Sequence, residues 1–252
     1  MVATRKLMES YNSDTISLEV NVAGLPTSER RWPGILRLVA HQLRTPTSLI
    51  AGYAEMLASD EIQRDSERRN QILAEIRQNL RELNRLAVEL QEGTRAETVG
   101  LPIRKGSISV GSLIEDALRA AAPLCEYRKV RLELSSGGPA PGHIMGDGFY
   151  LKLCLVNLID NAAKYGKAGG RVRLATEPLG RSIEVRVADD GMGLGPHAAE
   201  LFAPFAQGAD AKEGIGLGLT LVSAIVEAHG GSMTWRSGKG SYVGFTIPWS
   251  PN

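Results

Sequence analysis

His41 is the first side chain in the sequence whose surroundings suggest chemistry. It stands directly before Gln42 and one helical turn before Thr45. Apolar residues around it step alternately by three and four positions, which predicts a helix with an a/d seam. With Leu36 at position a, His41 falls at position f, so its imidazole faces solvent as a potential nucleophile on a rigid helix. The alternative is an ordinary exposed histidine with no partner.

A second polar group is formed by Asn157, Asn161 and Lys164, which lie at positions i, i+4 and i+7 of a predicted helix. This spacing places two amides and one ammonium on one helix face. Amide oxygens suit a hard divalent cation that brings phosphates with it, and the ammonium supplies a point charge for those phosphates. The alternative is a polar helix face turned to water.

Asp189 ends a predicted strand and is followed closely by Gly191 and Gly193. A carboxylate at a strand end can accept a hydrogen bond from an exocyclic amine such as that of adenine. The glycines would let the backbone approach such a ligand closely. The alternative is an Asp-Gly turn without a ligand.

Gly214, Gly216 and Gly218 open a further predicted helix. Backbone amides at a helix N-terminus bind anions, although a Gly-x-Gly-x-Gly pattern alone is weak evidence. The pattern is not a Walker loop, because no Gly-Lys-Ser/Thr follows it. Residues 196–213, just before it, carry Phe202 and Phe205 and are typical either of a mobile lid or of a surface loop.

Two predicted helices must position His41. The first runs from Ser28 to Ala58 and contains Pro46, which should bend it. The second runs from about Ser66 to Gly93, and the two form an antiparallel hairpin. Each apolar seam is too long to be covered by the other helix alone, so we expect a second copy of the chain to complete a four-helix bundle.

Beyond Gly93 the composition changes, because only four of the 28 glycines lie at or before that position. The pattern there predicts a largely antiparallel sheet with helices on one face. Predicted strands are 107–110, 130–134, a short strand ending at 147, 171–177, 182–188, 232–236 and 241–248, and predicted helices are 112–126, 148–165 and 215–229.

The composition excludes several classes of protein. Of the 252 residues, 43% are hydrophobic and 23% charged, which is typical of a soluble globular chain. The net charge of +1 gives no electrostatic reason to expect nucleic acid or an anionic membrane as a partner. Cys125 and Cys154 lack metal-ligand spacing, so a reducing cytoplasm is allowed. No segment approaches the roughly 18 apolar residues of a membrane span.

Taken together, these segments resemble a known family. His41–Pro46 resembles the phosphoacceptor box of bacterial two-component sensor histidine kinases. Four further segments resemble, in chain order, the N, first-glycine, F and second-glycine boxes of their ATP-binding domain: Asn157–Tyr165, Asp189–Gly195, Phe202–Phe205 and Gly214–Leu219. That domain belongs to the superfamily shared with gyrase, heat-shock chaperone and mismatch-repair ATPases.

The resemblance implies an α+β fold class, with a helical hairpin forming a dimeric four-helix bundle, followed by an α/β sandwich ATP-binding domain of the Bergerat type. The implied division is an N-terminal tail or adaptor segment at 1–27, the dimerisation and phosphotransfer hairpin at 28–95, a linker at 96–106 and the ATP-binding catalytic domain at 107–252. The implied protein is a cytoplasmic homodimer whose partner is a response-regulator receiver domain, with no nucleic acid and no membrane segment in this chain.

The resemblance also implies roles in binding ATP and Mg²⁺. Asn161 would coordinate Mg²⁺, with Asn157 on the same face. Lys164 and Tyr165 would contact phosphate and ribose, and Asp189 would bind the adenine amine. The glycine positions would permit close approach to the nucleotide and cradle its phosphates: Gly191, Gly193, Gly214, Gly216 and Gly218, with Leu217 between the last two.

For catalysis, the resemblance implies that Nε2 of His41 attacks the γ-phosphoryl group, which then passes to an aspartate of the regulator. Arg44 would balance phosphate charge, and Thr45 would orient water when the regulator is dephosphorylated. Gln42 departs from the family, which usually has Glu or Asp there. An amide can accept the hydrogen bond of Nδ1–H but cannot take up its proton.

Two interpretations of Gln42 stay open, since the chain is either an active kinase or a kinase-impaired, ATP-binding dimeric scaffold or regulator phosphatase. A serine kinase or mechanochemical ATPase of the same superfamily would not explain the His41 box.

A second departure is Asp190, which replaces the Asn often found there. Its carboxylate would either weaken nucleotide binding or point away from the nucleotide.

Overall fold

The computed structural model describes residues 32–135, 138, 140, 142–191, 193–194, 198–203, 206, 216–237 and 241–250. The predicted segment 1–27, Gly214 and Phe205 therefore lie outside the described residues. The chain divides into two compact units, Met1–Ala40 and His41–Asn252. Every side-chain contact given below lies within the second unit.

The two predicted helices of the hairpin are present as α1 (Trp32–Leu57) and α3 (Ser66–Thr98). The turn between them holds a short helix, α2 (Asp60–Arg64), which the polar sequence of the turn did not predict. The Asp65 side chain caps α3 by accepting hydrogen bonds from the backbone N–H groups of its first turn. Helix α3 continues past the predicted end at Gly93, because no residue between there and Thr98 breaks a helix.

The second region contains the predicted alternation of strands and helices. In chain order the elements are β1 (Gly106–Ser109), α4 (Val110–Tyr127), β2 (Arg131–Leu134), β3 (His143–Gly146), α5 (Gly148–Tyr165), β4 (Arg171–Leu179), β5 (Ser182–Asp189), a 3₁₀ turn (Ala198–Phe202), α6 (Gly218–Ala228), β6 (Ser232–Arg236) and β7 (Tyr242–Ser250).

The strands form one sheet in the order β1-β3-β7-β5-β4-β2, with β6 also paired to β7. Every pairing between described strands is antiparallel except that of β2 with β4. The register of β5 against β7 sets Val185 opposite Phe245. This register keeps the buried side chains of neighbouring strands on one face, because strand side chains alternate in direction.

The core lies between this face and helices α4, α5 and α6. Alternate residues of the central strands are fully buried there, among them Val172, Leu174, Ile183, Phe245 and Ile247. The predicted α+β class, with helices on one face of a largely antiparallel sheet, is confirmed. Among the described helices, none is both long and apolar enough to cross a membrane.

His229 connects the end of α6 to the start of α5. Its Nε2 accepts a hydrogen bond from the backbone N–H of Asp147 at 2.9 Å, and its Nδ1 donates to the carbonyl of Ile225 at 2.7 Å. Asp147 in turn caps α5 by accepting from the backbone N–H groups of Phe149 and Tyr150. Burial lowers the pKa of His229, so the neutral imidazole is part of the folded structure.

Candidate nucleotide and phosphoacceptor sites

His41 is exposed on α1, as the heptad position predicted. Arg44 and Thr45 are exposed beside it, whereas Gln42 is half-buried and Pro46 is buried. The Thr45 hydroxyl donates to the carbonyl of His41 at 3.4 Å, a local contact within the helix. The imidazole is therefore open to a second molecule or a moving domain.

The predicted amide face of α5 points at the start of α6. Asn157 is only 4% exposed, and its Nδ2 donates to the carbonyl of Leu153 at 3.0 Å. A Cβ placed on Gly218 would lie 3.3 Å from Oδ1 of Asn157 and 4.0 Å from Nδ2 of Asn161. The two amides that the sequence placed on one face thus converge on the first residue of α6.

The start of α6 has the features of an anion site. Gly216 adopts a φ of +77°, a conformation that favours glycine. Leu217 is the N-cap residue and is 2% exposed. Its apolar side chain cannot accept hydrogen bonds from the amides of the first turn, so α6 begins without a side-chain cap.

Asp189 lies half-buried at the end of β5, with Oδ1 accepting from the Gly191 N–H at 2.7 Å. Burial raises the pKa of Asp189, and the Gly191 N–H partly offsets that effect. A Cβ on Gly191 would lie 2.6 Å from both Asp189 Oδ1 and the Tyr165 carbonyl. No side chain fits there, so the packing of the chain's own atoms requires glycine at this position. Gly193 adopts a φ of +81°.

The contacts of Asp190, the second departure from the family pattern, are made with the neighbouring strand. Its Oδ1 lies 2.9 Å from Nη2 of Arg173, and its Oδ2 accepts from the backbone N–H of Arg171 at 3.2 Å. Both partners are on β4. The carboxylate is therefore held and charge-compensated by the neighbouring strand.

Asp160 lies at the candidate site and was not among the residues predicted for it. It is 1% exposed, and three cations surround it: Nη1 of Arg85 at 3.3 Å, Nζ of Lys164 at 3.8 Å and Nε of Arg128 at 3.9 Å. Neither of its oxygens makes a hydrogen bond of ordinary geometry in the described part of the chain. The predicted phosphate ligand Lys164 thus faces Asp160 in this structure.

Helix α3 adds a second unpredicted acidic group to the same site. Glu89 is 2% exposed and pairs with Arg85, which also binds Glu82 through Nε and Oε2 at 3.0 Å. Burial raises the pKa of Glu89 and the Arg85 guanidinium opposes that rise. No sequence pattern predicted a role for Glu89, because acidic and basic residues spaced three and four apart are typical of a solvated helix face.

Of the predicted lid, 196–213, the structure describes residues 198–203 and 206. Phe202, in the 3₁₀ turn, packs against Trp235 with ring centroids 5.0 Å apart. The hydroxyl of Thr220 on α6 donates to the carbonyl of Phe202 at 3.2 Å. One end of the segment is therefore anchored beside α6.

Comparison with known proteins finds a family match for each of the two regions of the chain. Residues 35–98 match the His Kinase A (phospho-acceptor) domain, and residues 146–251 match the histidine kinase-, DNA gyrase B- and HSP90-like ATPase family. The chain is 31% identical over 204 residues to the sensor protein KdpD of Escherichia coli, covering 79% of this chain and 22% of KdpD.

The sensor histidine kinase AruS of Pseudomonas aeruginosa is 32% identical over 234 residues, covering 87% of this chain and 23% of AruS. The chain thus spans about a quarter of the length of these curated relatives. The solved structure of the Acinetobacter baumannii histidine kinase AdeS aligns with a TM-score of 0.56 and 26% identity, over 84% of this chain and 98% of that one.

Proposed function

We propose that this chain, which belongs to the two-component sensor histidine kinase family, transfers the γ-phosphoryl group of ATP to Nε2 of His41. The observation that carries the proposal is the convergence of Asn157 and Asn161 on the glycine-rich start of α6. The exposure of His41 on α1 supports its role as the acceptor.

The ATP-binding family accounts for a nucleotide site, and we assign its contacts to residues of this chain. Asp189 binds the adenine amine, and the α6 amides with Gly216, Leu217 and Gly218 bind phosphates. Mg²⁺ fits the donor set, because Asn161 offers one hard oxygen and this ion usually keeps water and phosphate oxygens as its other ligands. When bound, the ion would neutralise the charge of the transferred phosphoryl group.

Phosphoryl transfer forms a bond between Nε2 of His41 and the γ-phosphorus while the bond between that phosphorus and the bridging oxygen of ADP breaks. The neutral imidazole carries its proton on Nδ1, which must leave after transfer. Gln42 can orient the ring by accepting that hydrogen bond but cannot take the proton. Because His41 is exposed, solvent can accept it.

We also propose that the hairpin dimerises and then passes the phosphoryl group to an aspartate of a response regulator. Leu49, Met56 and Leu80 support dimerisation, because these large apolar side chains of the hairpin are exposed in the single chain. Residues 28–95 would form the hairpin domain and 107–252 the ATP-binding domain, joined through 96–106. The cytoplasm, which supplies ATP, is the proposed location.

The test is incubation of the full chain with γ-labelled ATP and Mg²⁺, beside the variants His41→Ala and Asn161→Ala. Label that is acid-labile, base-stable and absent from both variants is the expected result. An exposed surface variant, Arg119→Ala, is the matched control and should be labelled like the wild type. Undiminished label in His41→Ala would contradict the assignment of the acceptor.

A further inference from the structure

Helix α3 docks along the ATP-binding region over much of its length. The hydroxyl of Tyr127 donates to Glu75 at 3.3 Å, and that of Tyr150 donates to Glu92 at 2.9 Å. A Cβ on Gly93 would touch Leu217 at 3.4 Å. Glu75 and Gly93 are separated by about 27 Å at the rise of an α-helix. The contacts are therefore distributed along most of α3.

Glu89 lies in the middle of this interface, at the phosphate end of the candidate nucleotide site. Its Oε1 would be 3.7 Å from a Cβ on Gly218, the same point that lies 3.3 Å from Asn157 Oδ1 and 4.0 Å from Asn161 Nδ2. An anionic carboxylate at this position lies beside the first turn of α6, where the helix dipole favours negative charge. A bound phosphate would require the same space.

The charges around Glu89 are balanced without a nucleotide. Arg85 lies between Glu82, Glu89 and Asp160, and Lys164 faces Asp160. The side chains of Glu89, Asp160 and Lys164 are almost fully buried. The docked helix thus places Glu89 in this space, while the ammonium that the phosphates would use is paired with Asp160 of α5.

We propose that Glu89 of α3 is a built-in competitor of ATP, occupying the phosphate position until the hairpin releases it. The inference rests on the proposed nucleotide site. ATP then binds the released state, and its apparent affinity is reduced by the fraction of molecules that are released. Because the two equilibria are linked, any signal that releases α3 from the docked position raises the affinity for ATP. Bound ATP in turn shifts the equilibrium towards the released hairpin by the same factor.

A disulfide between Gly93→Cys and Leu217→Cys tests the docked state. A Cβ on Gly93 would be 3.8 Å from Cβ of Leu217, the usual Cβ separation in a disulfide. The native cysteines are buried and do not compete. Binding of a fluorescent ATP analogue with Mg²⁺ is measured on the full chain, oxidised and reduced. The reduced form should bind at least about tenfold more tightly, because oxidation removes the released population.

Glu89→Gln tests the contribution of the carboxylate charge alone. The substitution keeps the side-chain volume and removes the negative charge that pairs with Arg85. This variant should bind the analogue several-fold more tightly than the wild type. The control Glu67→Gln, an exposed charge at the far end of α3, should leave binding unchanged.

Equal binding by the oxidised and reduced double-cysteine protein, or weaker binding by Glu89→Gln, would overturn the inference while leaving the proposed nucleotide site intact. If neither the reduced protein nor the wild type bound the analogue, the result would contradict the proposed nucleotide site. It would then also contradict the role of Glu89 as a competitor, which depends on that site.

Discussion

At the scale of single residues, Gln42 decides how well the imidazole is activated. Where most of the family has a carboxylate, this chain has an amide that can orient His41 but cannot receive its proton. General-base assistance typically contributes about 10²–10⁴ in rate. The chain should therefore autophosphorylate more slowly than a carboxylate variant would.

We predict that Gln42→Glu raises the initial rate of autophosphorylation by at least about tenfold, because a carboxylate takes up the Nδ1 proton as the N–P bond forms. The rate is measured with γ-labelled ATP at saturating nucleotide. Gln42→Ala, which loses orientation as well, is the control and should be slower than the wild type. Equal rates for the Gln and Glu proteins would show that orientation alone suffices.

The site residues divide into those that the sequence could predict and those that it could not. Asn157, Asn161 and Asp189 were identifiable because their spacing within a helix, or their place at a strand end, fixes where they point. Asp160 and Glu89 were not. Their importance comes from an interface between elements distant in sequence, and a charged residue on a helix face is far more often solvated.

At the scale of elements, hydrophobic periodicity predicted nearly every helix and strand, because burial on one face imposes a period of 3.6 or 2. The ends of elements were less predictable. Helix α2 lies in a segment whose polar sequence predicts a loop, and α3 extends beyond its predicted end at Gly93. The ends of helices depend on local capping and packing, which periodicity does not predict. The docking of α3 on α6 had no sequence signal.

The His229 contact between α6 and α5 should make stability depend on pH. Burial and Lys105 lower its folded pKa below the ordinary value of 6.5, although the hydrogen bond to the Ile225 carbonyl and the charge of Asp147 oppose them. Below pH 6.5 the unfolded chain therefore binds more protons at this imidazole than the folded chain does. The free energy of unfolding accordingly declines as the pH falls from 6.5 to the folded pKa.

We predict that His229→Gln, whose amide oxygen can replace the Nε2 acceptor, reduces the change in the free energy of unfolding between pH 7.5 and pH 5.5. Urea unfolding at several pH values measures it. His143→Gln, at an exposed position on β3, is the matched control and should keep the wild-type slope. An unchanged slope in His229→Gln would assign the pH dependence to other groups.

At the scale of the whole molecule, the hairpin leaves apolar side chains in solvent that a second copy would cover. Leu80 is 51% exposed on α3. Isolated exposed leucines are common, but Leu80 lies on the predicted apolar seam of its helix. The completed protein would therefore be a dimer with two nucleotide sites.

We predict that the chain has twice the mass of 27.1 kDa in solution and that Leu80→Glu shifts it towards the monomer, because the substitution places a charge in an apolar seam. Light scattering over a concentration series measures the mass. Leu179→Glu, an equally apolar and exposed position on β4, is the control and should stay dimeric. A wild-type monomer at all concentrations would contradict the bundle.

The proposed kinase activity requires above all that a nucleotide's γ-phosphoryl group reach the imidazole of His41. The most direct measurement is tandem mass spectrometry at mildly alkaline pH on the full chain after incubation with ATP and Mg²⁺. We predict a single phosphorylated residue, His41. A phosphoryl group found stoichiometrically on another residue, with His41 unmodified, would contradict the account.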